Sequence, residues 1–215
     1  TMPLVPWSPR RDPVYLSHLV NKDFEPSLPF VNVKEKVFHY HEIPFEERWI
    51  EKNNIILDGY WQSERYFKEF RTEILDLFDF DWDLKPQFVS VHVRRTDYLK
   101  WVKKHPKVPV EWIKKAMSLF PDHHFLFFSD DIEWCMKHFE KRKDCSFSVG
   151  QNEVEDLEEM SSCEHHICSA STFSWWAAWL NRNPTKRVIM PKLWFVPGWG
   201  GHDTKDIVPP QWERL

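Results

Sequence analysis

Two adjacent arginines close an apolar run in the segment His92-Val93-Arg94-Arg95-Thr96-Asp97. A guanidinium presents a planar fork of N–H donors that matches phosphate oxygens, so a pair at a strand end suits a diphosphate. The alternative is internal neutralisation of Arg94 or Arg95 by Asp97 or Asp130, and on the pair alone both readings stay open. Ser169-Ala170-Ser171-Thr172-Phe173-Ser174 places hydroxyls and backbone N–H groups where a helix is predicted to start, which favours an anion. Ordinary N-capping by Ser171 or Thr172 is the commoner use of such residues. Asp130-Asp131 has three readings: a cap for a helix beginning at Ile132, a receptor for ribose or base donors, or a base for an acceptor hydroxyl. Glu153 and Asp156, spaced i, i+3, share a helix face and read as solvated charge.

Two metal readings are weak. Asp79-Phe80-Asp81 has a spacing that holds Mg²⁺ on a nucleotide, but it continues an acidic helix end containing Asp76 and Asp83. Cys163, His165, His166 and Cys168 lack two properly spaced ligand pairs. No metal and no cofactor is expected.

The elements that position these groups follow from periodicity. Residues 1–50 carry Pro3, Pro6, Pro9, Pro13, Pro26, Pro29 and Pro44 and read as an extended arm. Asn54–Asp58 is a short predicted strand, and Phe67, Phe70, Ile74, Leu75 and Phe78 give a helix over about 64–78. From Pro86 strands and helices alternate. Strands are predicted at 87–93, 125–128, 146–149, 167–169 and 187–190. Helices are predicted around 112–120 and at 132–139, 154–160 and 173–180. Such alternation means a parallel, doubly wound α/β sheet, which binds ligands beyond the C-terminal ends of its strands. The arginine pair, Asp130-Asp131 and the Ser169–Ser174 segment then share one rim. The division expected is an N-terminal arm over 1–85 and a Rossmann-like domain over 86–215.

A chain of 215 residues with 42% apolar composition suits an ordinary core, and a net charge of -4 without long basic runs argues against nucleic acid as partner. Only 5 glycines are present and no Gly-x-Gly-x-x-Gly or Walker-type loop occurs, which removes the usual support for dinucleotide or P-loop chemistry. The 13 tryptophans are core residues for the most part, although an indole also stacks on sugar C–H faces. No apolar stretch spans a bilayer, and 4 cysteines are too few for a disulfide scaffold, so a cytoplasmic compartment is expected.

Four segments carry a family resemblance: Gly59–Phe67, Val89–Tyr98, Phe128–Cys135 and Ser171–Asn181, with Asp206–Trp212 as a fifth. In order and in rare residues they resemble the inverting α-1,2-fucosyltransferases of glycosyltransferase family 11. The resemblance implies the donor domain of a GT-B-type enzyme with a shortened N-terminal half, since the family's Gly-Gly-x-Gly-Asn-Gln opening is replaced by the proline-rich arm. It implies metal-independent transfer of L-fucose from GDP-fucose to a galactoside hydroxyl. It implies GDP-fucose contacts from His92, Arg94, Arg95, Asp130, Asp131, Asp156, Ser171, Thr172 and Phe173. Asp97, Arg95 and Asp131 form the catalytic set expected for this reaction, with Asp97 ranked slightly ahead of Asp130 and Asp131 as the general base. The implied partners are GDP-fucose or GDP and a galactose-containing oligosaccharide, with a missing N-terminal domain or a second copy completing the cleft. A noncatalytic sugar-binding remnant and a deoxyhexosyl transferase of different linkage are the rivals.

Overall fold

The computed structural model describes residues 30–42, 54–78 and 80–215. The chain forms two compact units, Thr1–Asp79 with His202–Pro209, and Phe80–Gly201 with Pro210–Leu215. In the first, β1 (Phe30–Lys34) pairs in parallel with β2 (Asn54–Asp58). The Glu35 carboxylate beyond β1 accepts the Tyr60 and Trp61 N–H groups beyond β2, at 2.8 and 3.1 Å. The helix expected over 64–78 is two short 3-10 turns followed by α1 (Arg71–Leu77), with Ile74 as its buried residue. Most of the proline-rich arm lies outside the described residues, as does Asp79. The described part of the arm includes β1, which its composition did not suggest.

The second unit holds the expected parallel sheet. Its strands are β3 (Lys85–Val93), β4 (His124–Ser129), β5 (Cys145–Phe147), β6 (Cys163–Ile167), β7 (Val188–Met190) and β8 (Glu213–Arg214). They lie in the order β5-β4-β3-β6-β7-β8, and every pairing is parallel. Counted from β3 this is the 3-2-1-4-5-6 arrangement of the dinucleotide-binding folds. The connecting helices are α2 (Thr96–Lys100), α3 (Val110–Met117), α4 (Ile132–Phe139), α5 (Glu153–Ser162) and α6 (Thr172–Leu180). Right-handed crossovers put α3 and α4 on one face. The reversal of winding at β6 puts α6 on the other.

Strand β3 is central, so both of its faces are covered and Val89 to Val93 are all buried. Val89, Val91 and Val93 join Phe125 and Phe127 of β4 in a core closed by Ile113, Met117 and Phe120 from the α3 side and by Cys135 and Phe139 of α4. The alternate residues Ser90 and His92 face the other layer, where His92 meets Phe173 of α6 at 5.4 Å between ring centroids. Helix α6 is apolar over most of its surface because six of its nine residues are buried. Trp175 and Trp179 stack at 6.3 Å and Trp175 leans on Trp212 at 5.5 Å.

Strand β6 begins at Cys163, four residues before the expected 167–169, because Glu164, His165 and His166 are polar and hide a strand from an apolar search. His166 is wholly buried and its Nδ1 pairs with Ser90 Oγ at 2.8 Å across the sheet. Two further elements carried no sequence signal. Helix α2 has five residues, and β8 has two.

Candidate functional site

The winding of the sheet reverses between β3 and β6, the switch point beyond whose strand ends open α/β sheets take their ligands. The residues leaving β3 are Arg94 and Arg95; those leaving β6 are Cys168 and Ser169. The two ends are tied together: His92 Nδ1 lies 2.7 Å from Ser169 Oγ, and Tyr98 Oη donates to the Ala170 carbonyl at 2.6 Å. Burial, reinforced by the Arg94 charge, lowers the His92 pKa to about 3, so its ring is neutral. Burial also pushes the Tyr98 hydroxyl up to about 12, which keeps it a donor.

The carboxylates that could neutralise the arginines do so. Arg94 makes a two-pronged pair with Asp97, Nε to Oδ1 at 2.8 Å and Nη2 to Oδ2 at 2.9 Å, and its Nε is 3.4 Å from Asp130 Oδ2. Burial would raise the Asp97 pKa, but the Arg94 hydrogen bonds outweigh it and hold the carboxyl below its ordinary value. Arg95 donates Nε to Asp131 Oδ2 at 2.9 Å, and its guanidinium lies 3.9 Å from the centre of the Trp134 ring. The internal salt-bridge reading of the pair is therefore realised. It also orients both cations, since each is held by a carboxylate rather than swinging free. Among the described residues no hydrogen bond engages the Nη groups of Arg95.

Asp130 and Asp131 have separate tasks. Asp130 accepts the backbone N–H groups of Arg95 and Thr96 at 2.8 and 3.0 Å and the Thr96 hydroxyl, which fastens the first turn of α2 to the end of β4. Asp131 is the N-cap of α4, its Oδ1 accepting the Trp134 N–H at 3.3 Å. Ser129 Oγ donates to the Val93 carbonyl at 2.7 Å and accepts from the Asp131 N–H at 3.0 Å, which locks the β3 and β4 ends together. Asp130→Ala should cost about 1 kcal/mol through the unsatisfied first turn of α2. A thermal melt would show this as a fall of about 2–4 °C.

Ser171 is the N-cap of α6, its Oγ accepting from the Phe173 N–H at 3.4 Å, and Thr172 is exposed in the first turn. Capping does not remove the partial positive charge of that terminus from the rim. Asp156 stands on α5 and accepts a 2.6 Å hydrogen bond from Ser148, just past β5. Burial raises its pKa in spite of that bond. It shares the rim, at the β5 side of the sheet, but no hydrogen bond or ion pair among the described residues joins it to the arginines. Sequence reasoning passed over Trp134 and Tyr98 as site residues. Their signals were an aromatic three positions after Asp131 and one directly after Asp97.

At the opposite, N-terminal end of the sheet, His123, Glu164 and His165 bring three potential ligand atoms within 4.8 Å of one another. His165 Nδ1 accepts the Arg187 N–H at 3.1 Å, so in the neutral ring the proton sits on Nε2, the atom facing Glu164. A cation there must displace that proton. The set does not favour metal binding.

An open doubly wound sheet with two oriented arginines and a helix N-terminus at its switch point is the architecture of the nucleotide-binding class of α/β proteins. The chain belongs to a particular family of that class: residues 46–212 match Glycosyl transferase family 11. An α-1,2-colitosyltransferase of Escherichia coli is 30% identical over 94% of this chain and 75% of its own length. The O-antigen biosynthesis glycosyltransferase WbnK of Escherichia coli is 29% identical over 76% of this chain and 62% of its own. Galactoside α-(1,2)-fucosyltransferase 1 of Alouatta belzebul is 30% identical over 56% of this chain and 39% of its own. Among the described residues no helix is long and apolar enough to cross a membrane.

Proposed function

We propose that the chain transfers a 6-deoxyhexose, L-fucose in the first instance, from its GDP derivative to a galactoside 2-hydroxyl with inversion and without a metal ion. The observation that carries this reading is the engaged arginine pair at the switch point. Arg94 and Arg95 are held by Asp97, Asp130 and Asp131. Charge that grows on a leaving diphosphate then meets donors that need not reorganise. The α6 N-terminus with Ser171, Thr172 and Phe173 receives the second phosphate, and neutral His92 supports the floor between the two strand ends. Asp156, at the β5 side, reaches the nucleoside.

In the proposed step the acceptor oxygen forms a bond to the anomeric carbon as the bond from that carbon to the phosphate oxygen breaks. GDP leaves with the bonding pair. The acceptor proton passes to a carboxylate. Asp97 suits this task because its side chain is about half exposed and ionised at neutral pH, and a weak base suffices when the proton moves late. Asp131 is likewise engaged through both oxygens, by the Trp134 N–H and by Arg95, and is less exposed than Asp97, 32% against 48%, so it ranks second as base and acts chiefly through Arg95. The compartment proposed is the cytoplasm, in keeping with free thiols at Cys135, Cys145, Cys163 and Cys168.

The colitosyltransferase relative supports a second reading of the donor, in which the sugar is a dideoxyhexose. Incubation with GDP-fucose or GDP-colitose and a galactoside panel, with EDTA present, separates the cases. Released GDP and a 2-O-linked product are expected in EDTA. If product forms only after Mn²⁺ is added, the arginine mechanism is wrong, and if GDP binds but no acceptor turns over, the chain is a binding protein.

A further inference from the structure

The loop that leaves the arginine site carries a second chemistry. Between Asp97 and Glu111 the chain has Lys100, Lys103, Lys104 and Lys107 and no carboxylate, on a molecule whose net charge is -4. Interleaved with them are Leu99, Trp101 and Val102, which are 39%, 64% and 43% exposed. An indole left mostly in water beside two exposed aliphatic residues is unfavourable for an isolated molecule. Fraying does not account for it, because the loop is pinned on its inner side. His105 stacks on Tyr98 with ring centroids 3.9 Å apart and planes 12° off parallel. Lys104 places its ammonium 4.6 Å from the Trp199 ring, and its carbonyl accepts the Val196 N–H at 3.0 Å. With Lys104 and His105 held inward, Leu99, Trp101 and Val102 project outward with Lys100, Lys103 and Lys107, all exposed. Among the described residues no carboxylate pairs with those three lysines.

We propose that this patch seats the protein on an anionic lipid surface. An exposed indole flanked by aliphatic side chains inserts at the headgroup level, and surrounding lysines meet lipid phosphates. A sugar alone would explain the indole and not three unpaired cations. The cationic patch on an acidic protein also gives the contact one orientation: the β3 and β7 ends, from which residues 94–105 and 191–199 emerge, face the bilayer. The proposal rests on exposure and charge and does not depend on the reaction assigned to the chain.

Flotation of the 215-residue chain with phosphatidylcholine vesicles, with and without 30 mol% (roughly, a usual anionic-lipid loading) phosphatidylglycerol, tests it directly. Binding is expected to the anionic vesicles and to fall as salt rises. Trp101→Ala should weaken it about tenfold. The triple change Lys100→Ala, Lys103→Ala, Lys107→Ala should weaken it on the order of a hundredfold, and the same three positions as arginine should restore it. GDP affinity should not change in any of these variants, which separates a lost surface from a lost fold. Equal binding to neutral and anionic vesicles, or full binding by the triple alanine variant, overturns the proposal. So does a Trp101→Ala protein that floats normally yet transfers poorly to a soluble galactoside, a result that would assign the indole to the acceptor.

Discussion

Replacing Arg95 with alanine is expected to slow transfer by roughly a hundredfold to a thousandfold, the range seen when an oriented donor to a developing anion is removed, and to weaken GDP binding with it. Arg95 uses only Nε on Asp131, and the Trp134 ring supports its plane from one side, so among the described residues its Nη edge is committed to no hydrogen bond. Arg94 is the smaller contributor. Two of its nitrogens already face Asp97 and its Nε also approaches Asp130, so Arg94→Ala should disturb α2 as well as the ligand. Lysine at 95 should not rescue, because one ammonium cannot hold Asp131 and present a two-pronged edge together. The variant should remain folded, since Asp131 keeps its capping bond to Trp134 and is partly solvated. Calorimetry with GDP beside a thermal melt checks both halves. Unchanged GDP affinity in the Arg94→Ala and Arg95→Ala proteins alike would leave the pair as a structural ion-pair network and nothing more.

The reversal of winding that places Arg95 at the switch point was legible in the sequence only in outline. Alternating elements from Pro86 onward announce a parallel sheet because a strand buried on both faces reads as an apolar run, as Phe125 to Phe128 does. Strand β6 breaks that rule. Its Glu164, His165 and His166 are tolerated because His166 finds Ser90 across the sheet and His165 finds the Arg187 N–H, and such pairings are invisible until strand order is known. Strand order itself, and so the adjacency of the β3 and β6 ends, is a property of long-range pairing that periodicity does not encode. The same holds for the site. Residue types placed the arginines, Asp130-Asp131 and the Ser169–Ser174 segment on one rim, but not the division of labour between two neighbouring aspartates. One fastens α2 and the other caps α4 and holds Arg95, which follows from where β4 ends relative to β3.

His92 makes the second large prediction, because its ring is buried beside a guanidinium and its pKa falls to about 3 from an ordinary 6.5. His166, also fully buried, is lowered to about 3 as well. In both the unfolded chain binds a proton below pH 6.5 that the folded chain refuses, so stability is complete above that value and is lost as pH falls toward 3. Each site removes about 1.4 kcal/mol per pH unit across that window, and the two together about 3 kcal/mol per unit. The window also separates them from the ion pairs. Asp97 has its pKa lowered from 3.8, so its contribution disappears only below that, after most of the histidine loss has occurred. Urea unfolding at pH 7.5, 6.0, 5.0 and 4.5 (roughly spanning the window set by the reference histidine pKa) should therefore steepen below pH 6. His92→Gln should start lower at pH 7.5, by about 1–2 kcal/mol for the altered Ser169 contact, yet decline less steeply. Parallel slopes in His92→Gln, His166→Gln and the parent would mean that neither ring is held neutral. For the reaction the consequence is that His92 contributes shape and a hydrogen bond to the rim, not a titrating charge. The rate should then show no histidine-like inflection between pH 5 and 8 (about the range over which an unperturbed imidazole titrates), while the fold that carries it weakens across the lower half of that range.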